Sequence, residues 1–445
     1  MLLVFTPTLT NRIGYTLHVV LGHLLHTPFE ITTNADTFAH HADARLCYGP
    51  ERIVDNCVWI KSANLLFRST VEDQEPTDTE RSALQGLFPV YGRNLDFDFD
   101  LLAATFFLVS RYEEYLPHHT DEHGRYKPEE SVAYRNGFLQ EPVVDRWALM
   151  LRHKIEEVFP LFRFAQRPFQ MEVTVDIDAA YCYRGKGWWR SFVGFGKDLL
   201  LHRDPHQARH RWRCLTGKEP DPFNTFDHIL ALKQRYPHTT LLFFALLANY
   251  GPFDKNISHN HEEFRQLLKH LADYVRVGIH TSYASHSDSA LIETEVDRLN
   301  AILHHNVTRN RAHFLLMSLP ATYRQLLLHG IQHDYTMGYA DMPGFRAGIS
   351  VPYPFFDLYK DAEEPLLIHP FCLMDVTLHT KMGLSNDESE SLFRQMIDKV
   401  ADVGGTFSCI VHNQYLCNLF GWQGWSDTFD SIWAYGANKA KAASH

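Results

Sequence analysis

The chain of 445 residues carries 42 basic and 53 acidic side chains, which gives a formal charge of −11. A net negative surface repels phosphate, which argues against nucleic acid or an anionic membrane as the main partner. Hydrophobic residues make up 45% of the chain and aromatic residues 13%, a composition that excludes a disordered protein. The apolar runs are much shorter than the roughly 18 residues needed to span a bilayer, so we expect no membrane span.

The amino-terminal segment and the cysteines indicate a reducing compartment. Residues 1–15 lack a basic region followed by a long apolar stretch, so we read them as mature sequence without a signal peptide. The 7 cysteines are an odd number and form no C-x-x-C pair, which is typical of free thiols. We therefore expect a cytoplasmic protein, and the sequence leaves the oligomeric state open.

Residues 1–165 alternate short apolar strands with helical patterns, which predicts a smaller α/β domain. We expect strands at 2–5, 52–58 and 65–67, and helices at 12–26, 100–116 and 147–159. Asp98 or Asp100 is the expected N-cap of the second helix. That helix ends in Arg111, Glu113 and Glu114, which we read as an ion-paired helix end, with an interdomain cleft as the alternative. The segment 118–130 predicts a polar loop, so its members His118, His119, Asp121 and His123 are read as solvated.

From residue 166 to 445 the order becomes strand–helix–strand, which predicts a second domain built on a largely parallel sheet or barrel. Strands are expected at 170–175, 240–246, 277–280, 312–317, 335–339, 366–370 and 406–412. Helices are expected at 226–236, 262–275, 291–303, 322–329 and 388–403. The basic, tryptophan-containing segment 186–219 predicts an insertion. The join at 163–168 is short and not rich in Gly or Ser. We therefore expect domain 1–165 to pack against the barrel and cover part of its site.

Polar residues at or near the predicted strand ends form the candidate site. Ligands of α/β proteins collect at the carboxyl ends of strands, where this sequence places Asp176, Asp178, His280, His313, Arg346 and His412. Imidazole nitrogens with one carboxylate suit a zinc-type ion that keeps a position for water. A second carboxylate can then take a proton from that water. Helix caps and core histidines are the structural alternative for the same residues.

These residues belong to motifs that resemble the polysaccharide deacetylase family, the NodB-homology or carbohydrate esterase family 4 type. More narrowly, the chain is similar to a divergent bacterial branch with its own N-terminal domain of unknown function. The resemblance covers nearly the whole chain. It rests on FLVSRYEEY at 107–115, TVDID at 174–178, GIHTSY at 278–283, RAHFL at 311–315, DYTMGY at 334–339, GFRAG at 344–348 and VHN at 411–413.

The resemblance implies an irregular (β/α)7-type barrel and a metal-dependent hydrolase. Such an enzyme removes an acetyl, or another acyl, group from an amino sugar or polysaccharide. By the same resemblance, Asp176 is the catalytic base and Arg346 orients it. Asp178 and His280 bind a divalent metal, most simply zinc, and His412 is the general acid. The implied partner is an acetylated carbohydrate.

One position departs from the family pattern. The second metal-binding histidine of the family falls here on Ala284. His313 is the favoured replacement, and His286, in a polar loop, is the other candidate. Because the motif is altered, the alternative function is a non-catalytic carbohydrate-binding or polysaccharide-biosynthesis protein that retains the barrel. Removal of a different acyl group from a nucleotide-linked sugar is a third reading.

Overall fold

The computed structural model describes residues 1–74, 76, 86–185 and 205–443. Most of the predicted basic insertion, residues 186–204, lies outside the described residues. The protein is mixed α/β with two largely parallel sheets, as the sequence predicts at this level. Among the described helices, none has both the length and the apolar character needed to cross a bilayer.

The strands fall into two sheets, each with its own part of the chain. The smaller sheet has the order β2-β1-β3-β4 and the larger one the order β10-β11-β9-β8-β7-β6-β5-β13-β12. The strands are β1 Leu2–Phe5, β2 Phe29–Thr32, β3 Arg45–Gly49, β4 Val58–Lys61, β5 Gln170–Ile177, β6 Thr240–Leu246, β7 Arg276–Thr281, β8 Arg309–Ala312, β9 His333–Asp334, β10 Tyr353–Asp357, β11 Ala362–Ile368, β12 Leu373–Met374 and β13 Thr406–His412.

Helices pack against both sheets. They are α1 Asn11–Leu17, α2 Ala35–Ala39, α3 Leu101–Val109, α4 Val132–Arg135, α5 Val143–Val158, α6 Pro205–Leu215, α7 Phe226–Arg235, α8 Glu262–Tyr274, α9 Ala290–Leu303, α10 Ala321–Leu328, α11 Asn386–Asp402 and α12 Trp425–Ala443. The expected helix at 12–26 is α1 followed by a π-helical segment, His18–Leu24. The expected strand at 65–67 is wrong, because Leu65–Phe67 forms a 3-10 turn.

Helix α3 lies at the centre of the first half. Every one of its residues is buried, as expected for a helix that is apolar on all sides. The carboxylate of Asp100 caps it by accepting a hydrogen bond from the Ala103 N–H at 2.9 Å. The helix ends where Arg111 adopts a left-handed backbone conformation, with a φ of 53°. That turn directs the following acidic residues, Glu113 and Glu114, into the interior.

The larger sheet curls strongly. Its neighbouring strands are parallel except for the antiparallel pair β10 and β11. Strands β8 and β12 are five steps apart in the sheet order, which would separate them by about 24 Å in a flat sheet. The Arg311 guanidinium of β8 nevertheless lies 5.5 Å from the ring centre of Phe371, just before β12. The curl therefore brings the carboxyl ends of distant strands together.

Two predicted strands of this sheet are displaced. The strand expected at 312–317 is β8, which ends at Ala312, so His313 follows the strand instead of lying on it. The strand expected at 335–339 is wrong, because the short strand β9 ends at Asp334, just before that range. In both places the strand consists mainly of polar residues, RNRA in β8 and HD in β9, and the apolar residues that follow lie outside it.

The two parts of the chain share one hydrophobic core that includes residues from both sheets. Polar contacts also cross between them. The Arg12 Nε donates to Asp361 Oδ1 at 2.8 Å, and the Tyr15 hydroxyl donates to the Pro354 carbonyl at 2.8 Å. The N–H of Ser350 donates to the buried Asp145 carboxylate at 2.8 Å. These contacts fix the first half against the larger sheet.

Candidate metal centre and active site

Strand register gathers the candidate residues at one edge of the larger sheet. On the neighbouring strands β5 and β13, Asp176 pairs with His412. On β7 and β8, His280 pairs with Arg311. Asp178 follows the end of β5. All of these strand ends face one cavity, which is lined by His123, Arg125, Asp176, Asp178, His280, Ala312, His313, Phe314, Leu315, Ala340, Met374, Val376, Lys381, His412 and Tyr415.

Three side chains in this cavity form a group that suits a metal ion. The Asp178 Oδ1 lies 3.3 Å from His280 Nε2 and 3.7 Å from His313 Nε2. One ligand atom from each of the three residues lies within 4.8 Å of the other two. Within the described residues, the buried Asp178 Oδ1 accepts no well-aligned hydrogen bond. One carboxylate and two imidazoles with a free oxygen between them are a donor set that fits zinc.

Both imidazoles are oriented by a partner on the far side of the ring. The Nδ1 of His280 contacts the Arg311 carbonyl oxygen at 2.8 Å. The Nδ1 of His313 contacts Asp254 Oδ1 at 2.8 Å. Because both partners are acceptors, each ring keeps a proton on Nδ1 and turns Nε2 toward the cavity, the orientation found in other metal-binding histidines.

Asp254 is a site residue that the sequence did not predict. Its buried carboxylate holds His313 and also accepts hydrogen bonds from the N–H groups of Tyr283, at 2.9 Å, and Ala284, at 3.2 Å. Asp254 therefore links Ala284 and the turn after β7 to His313. It lies in the long loop after β6, where no local motif marks it.

The structure brings His313, and not His286, to Asp178 and His280. His286 lines a different cavity with Ser282 and Leu316. Immediately after His313, Phe314 and Leu315 both adopt left-handed backbone conformations, with φ of 59° and 56°. Such conformations cost about 1–3 kcal/mol each in residues other than glycine and collect at functional sites. This strained turn lets His313 point into the cavity directly after β8.

The structure corrects the expectation for Arg346, because this side chain is held elsewhere. Its Nε and Nη2 donate to the two carboxylate oxygens of Glu114 at 2.8 and 2.7 Å. In the described residues it forms no ion pair with Asp176. The guanidinium beside Asp176 belongs to Arg311, whose Nε lies 3.8 Å from Asp176 Oδ1. Arg311 is fully buried and is fixed by a hydrogen bond to Thr174 Oγ1 at 2.6 Å.

A second carboxylate–imidazole pair lies on the other side of the cavity. The Nδ1 of His412 contacts Asp375 Oδ1 at 2.7 Å, and the His412 N–H donates to Asp375 Oδ2 at 2.7 Å. Asp375 directly follows β12, next to β13, and is fully buried. The Nε2 of His412 faces the cavity and lies 3.7 Å from Asp178 Oδ2. Asp375 was also missed by the sequence reasoning.

The carboxylates and imidazoles of the cavity shift one another's pKa values. Burial opposes ionisation of Asp178, but the imidazoles of His313, His280 and His412 outweigh it and hold its pKa well below the usual range. Burial also lowers the pKa of His280, yet Asp176 and Asp178 raise it overall. For His412 the carboxylates again outweigh burial, with Asp375 contributing most, and raise its pKa to about 10. Together, Asp176, Asp178 and Asp375 create a negative field that favours positive charge in the cavity.

The first half of the chain contributes to the cavity through the loop at 118–130. His123, expected to be solvated, lines the cavity together with Arg125. The His123 ring lies edge-on to Phe253, Tyr283 and Phe314. Phe253 is stacked on Tyr283 at 4.1 Å between ring centres and is 43% exposed. We call His123, Phe253, Tyr283 and Phe314 the aromatic rim.

Comparisons with known proteins match one family model to the first part of the chain and find distant structural likenesses. The model of a family of unknown function, DUF7033, matches residues 2–160, just over a third of the chain. No curated protein matches the chain. A solved structure from Mycobacterium smegmatis, described as a polysaccharide deacetylase, is 16% identical with a TM-score of 0.40, and the match covers 61% of this chain and 85% of that one.

Two further structures are carbohydrate-active enzymes. A 4-alpha-glucanotransferase from Thermococcus litoralis is 12% identical with a TM-score of 0.34, over 62% of this chain and 38% of that one. A glycoside hydrolase of family 138 targeting pectin rhamnogalacturonan II is 10% identical with a TM-score of 0.28, over 99% of this chain and 63% of that one. Because all three TM-scores lie below 0.5, the assignment of function rests on the residues of the cavity.

Proposed function

We propose that the chain is a metal-dependent hydrolase that removes an acetyl, or a similar acyl, group from an amino sugar or polysaccharide. The observation that carries this proposal is the position of Asp178, His280 and His313, whose ligand atoms lie within 4.8 Å of one another in a cavity that also holds Asp176 and His412. A metal-ligand set beside a separate carboxylate and a separate imidazole is a combination that supports metal-assisted acyl hydrolysis.

In this proposal Asp178, His280 and His313 bind one divalent cation, most simply zinc. The bound ion would polarise the acyl carbonyl and lower the pKa of a water molecule. Asp254 and the Arg311 carbonyl orient the two imidazoles, so their Nε2 atoms are available without rearrangement.

The remaining side chains move the protons. Asp176 accepts the proton of the attacking water, with the Arg311 guanidinium beside it as counter-charge. His412 donates a proton to the leaving nitrogen through Nε2, because Asp375 holds its Nδ1. The carboxylate of Asp375 raises the pKa of His412, which favours the protonated form that an acid needs.

The size and rim of the cavity favour a carbohydrate substituent as the substrate group. Its volume of about 210 Å³ is below the roughly 300–1,000 Å³ that encloses a drug-sized ligand. It therefore suits the acyl group and part of one sugar ring, while the rest of a glycan would lie outside. The exposed Phe253 of the aromatic rim offers an apolar ring on which a neighbouring sugar can stack.

The proposal includes the architecture. We propose that the larger sheet is an irregular (β/α)7-type barrel, supported by the contact of Arg311 with Phe371 across the curl. We also retain the division into domains 1–165 and 166–445, in which the first domain narrows the entrance through His123 and Arg125.

Acetate release from zinc-loaded protein acting on an acetylated chitooligosaccharide tests the proposal. Wild type should release acetate, and Asp176→Asn should not, although it should bind zinc as tightly. A wild-type protein that binds both zinc and the oligosaccharide but releases no acetate, from N- or O-acetylated sugars, would contradict the proposal. That result would favour the non-catalytic carbohydrate-binding alternative.

A further inference from the structure

A second group of metal-ligating side chains lies outside the cavity, at the end of helix α6. His210, Cys214 and Glu219 each place one ligand atom within 4.8 Å of the others. The Nε2 of His210 is 3.6 Å from Glu219 Oε2. Zinc bonds of about 2.1 Å at a tetrahedral angle separate two ligand atoms by about 3.4 Å. His210 and Glu219 are thus already near the spacing that two ligands of one ion have.

Local structure explains why the three side chains meet. His210 and Cys214 are four residues apart on α6, so they lie on one face of the helix. Gly217 then adopts a left-handed conformation, with a φ of 73°. The N–H of Lys218 folds back to the Arg213 carbonyl at 2.8 Å. This reversal returns Glu219 to the face that carries the other two residues.

The environment of the group suits a zinc ion. Cys214 is fully buried and packs with Cys182 and Tyr183, whereas the side chains of His210 and Glu219 are about one-third exposed. A thiolate, a carboxylate and a neutral imidazole together balance the charge of a divalent cation, and thiolate ligation favours zinc over calcium or magnesium. Arg213 lies against Glu219 Oε1, which leaves Oε2 facing His210.

The position of the group gives it a structural role. Two residues after Glu219, the buried carboxylate of Asp221 accepts hydrogen bonds from the N–H groups of Cys182, Tyr183 and Arg184 at 2.6, 2.9 and 3.1 Å. Those three residues belong to the segment that follows Asp178. A metal ion at this group would fix the turn after α6, and Asp221 ties that turn to the segment that leaves the candidate active site.

We propose that His210, Cys214 and Glu219 bind one zinc ion, separate from the candidate active-site metal. The fourth position faces solvent, since two of the three ligands are partly exposed. The proposal does not depend on the proposed hydrolysis, because its ligands and its role are distinct. In the absence of an ion, the same residues form a His210–Glu219 ion pair beside a buried thiol that donates to the Pro220 carbonyl at 3.1 Å.

Cobalt(II) titration of the metal-free full-length protein distinguishes the two states. A cobalt–thiolate bond gives a charge-transfer band in the near ultraviolet, and the candidate active site has no sulfur ligand. We expect the band in wild type and in the active-site variant His313→Ala, and we expect it to be absent in Cys214→Ser. Cys57→Ser is the matched control and should keep the band, because Cys57 is also a buried thiol that donates to a carbonyl, but it lies in the core of the smaller sheet.

A second variant tests the site even if Cys214→Ser does not fold. Glu219→Gln alters a partly exposed side chain and should weaken cobalt binding at the thiolate site at least about tenfold, with the circular dichroism unchanged. A wild-type protein without the band, or a band that persists in Cys214→Ser, would overturn the proposal and leave the ion pair as the only role of the group. Acetate release by wild type is a separate readout that neither result would change.

Discussion

Replacement of Glu114 by Gln should destabilise the protein by several kcal/mol, because Glu114 is the buried counter-charge of two guanidinium groups. It accepts hydrogen bonds from Arg111 Nε at 2.7 Å and from Arg346 Nε and Nη2 at 2.8 and 2.7 Å. Burial raises the pKa of Glu114, but the two arginines outweigh burial and lower it from 4.5 to about 2. That difference corresponds to ~3 kcal/mol, and breaking a buried ion pair costs about 3–5 kcal/mol.

Urea unfolding at neutral pH, followed by tryptophan fluorescence, measures the loss. Glu157→Gln is the matched control: Glu157 is 68% exposed and pairs with Lys154 on the surface, so its loss should cost less than about 1 kcal/mol. The lowered pKa of Glu114 stabilises the fold above about pH 4.5, and this contribution disappears as the pH falls toward 2. The difference between wild type and Glu114→Gln should therefore shrink in acid. If Glu114→Gln were as stable as wild type at neutral pH, Glu114 would not be an essential buried counter-charge.

The remaining predictions concern the candidate active site. Asp178→Asn should lower the zinc content of the purified protein, whereas Asp176→Asn should abolish acetate release at near wild-type zinc content; equal zinc loss in both would contradict their separate roles. Asp254→Asn should weaken zinc binding by about 10–100-fold, the usual effect of losing a group that orients a metal-binding histidine; an unchanged zinc affinity by competition with a chelator would argue against it. Asp375→Asn should move the alkaline limb of the pH–rate profile to lower pH, because Asp375 raises the pKa of His412, which must be protonated to act as an acid; an unmoved limb would exclude His412 as that acid.

The sequence could predict the parts of the fold that follow apolar patterns. Strand β6 is an apolar run, β5 alternates polar and apolar residues, and β13 is mostly apolar; all three lie at or close to the predicted positions. Strand β8 was displaced because its sequence, RNRA, is polar although most of it is buried. Its polar residues are buried for specific reasons: Asn310 donates to Asp334 at 2.8 Å, and Arg311 lies beside Asp176. A hydrophobicity pattern cannot reveal a strand whose side chains serve a polar network.

For the candidate site too, the sequence could predict some residues and not others. Short motifs located Asp176, Asp178, His280 and His412, all of which line the cavity. The partners that orient the ring nitrogens, such as Asp254, are single acidic residues distant in the sequence, and only the three-dimensional fold identifies them. The role expected of Arg346 follows its motif, yet Glu114, which lies 232 residues earlier, accepts hydrogen bonds from its Nε and Nη2. A motif carries no information about a competing partner from another part of the chain.

The core shared by the two halves determines how this chain can be dissected. A fragment that begins at residue 166 would keep every candidate metal ligand but would lose Glu114 from Arg346, Asp145 from Ser350 and Arg12 from Asp361. Arg346, Ser350 and Asp361 would then lose hydrogen-bond or ion-pair partners on a face that the first half covers in the intact protein. A fragment that folds without residues 1–165 would need a newly designed surface at that face. For protein engineering, the whole chain is therefore the unit to transfer. Grafting the cavity onto another scaffold would require residues 1–165 as well.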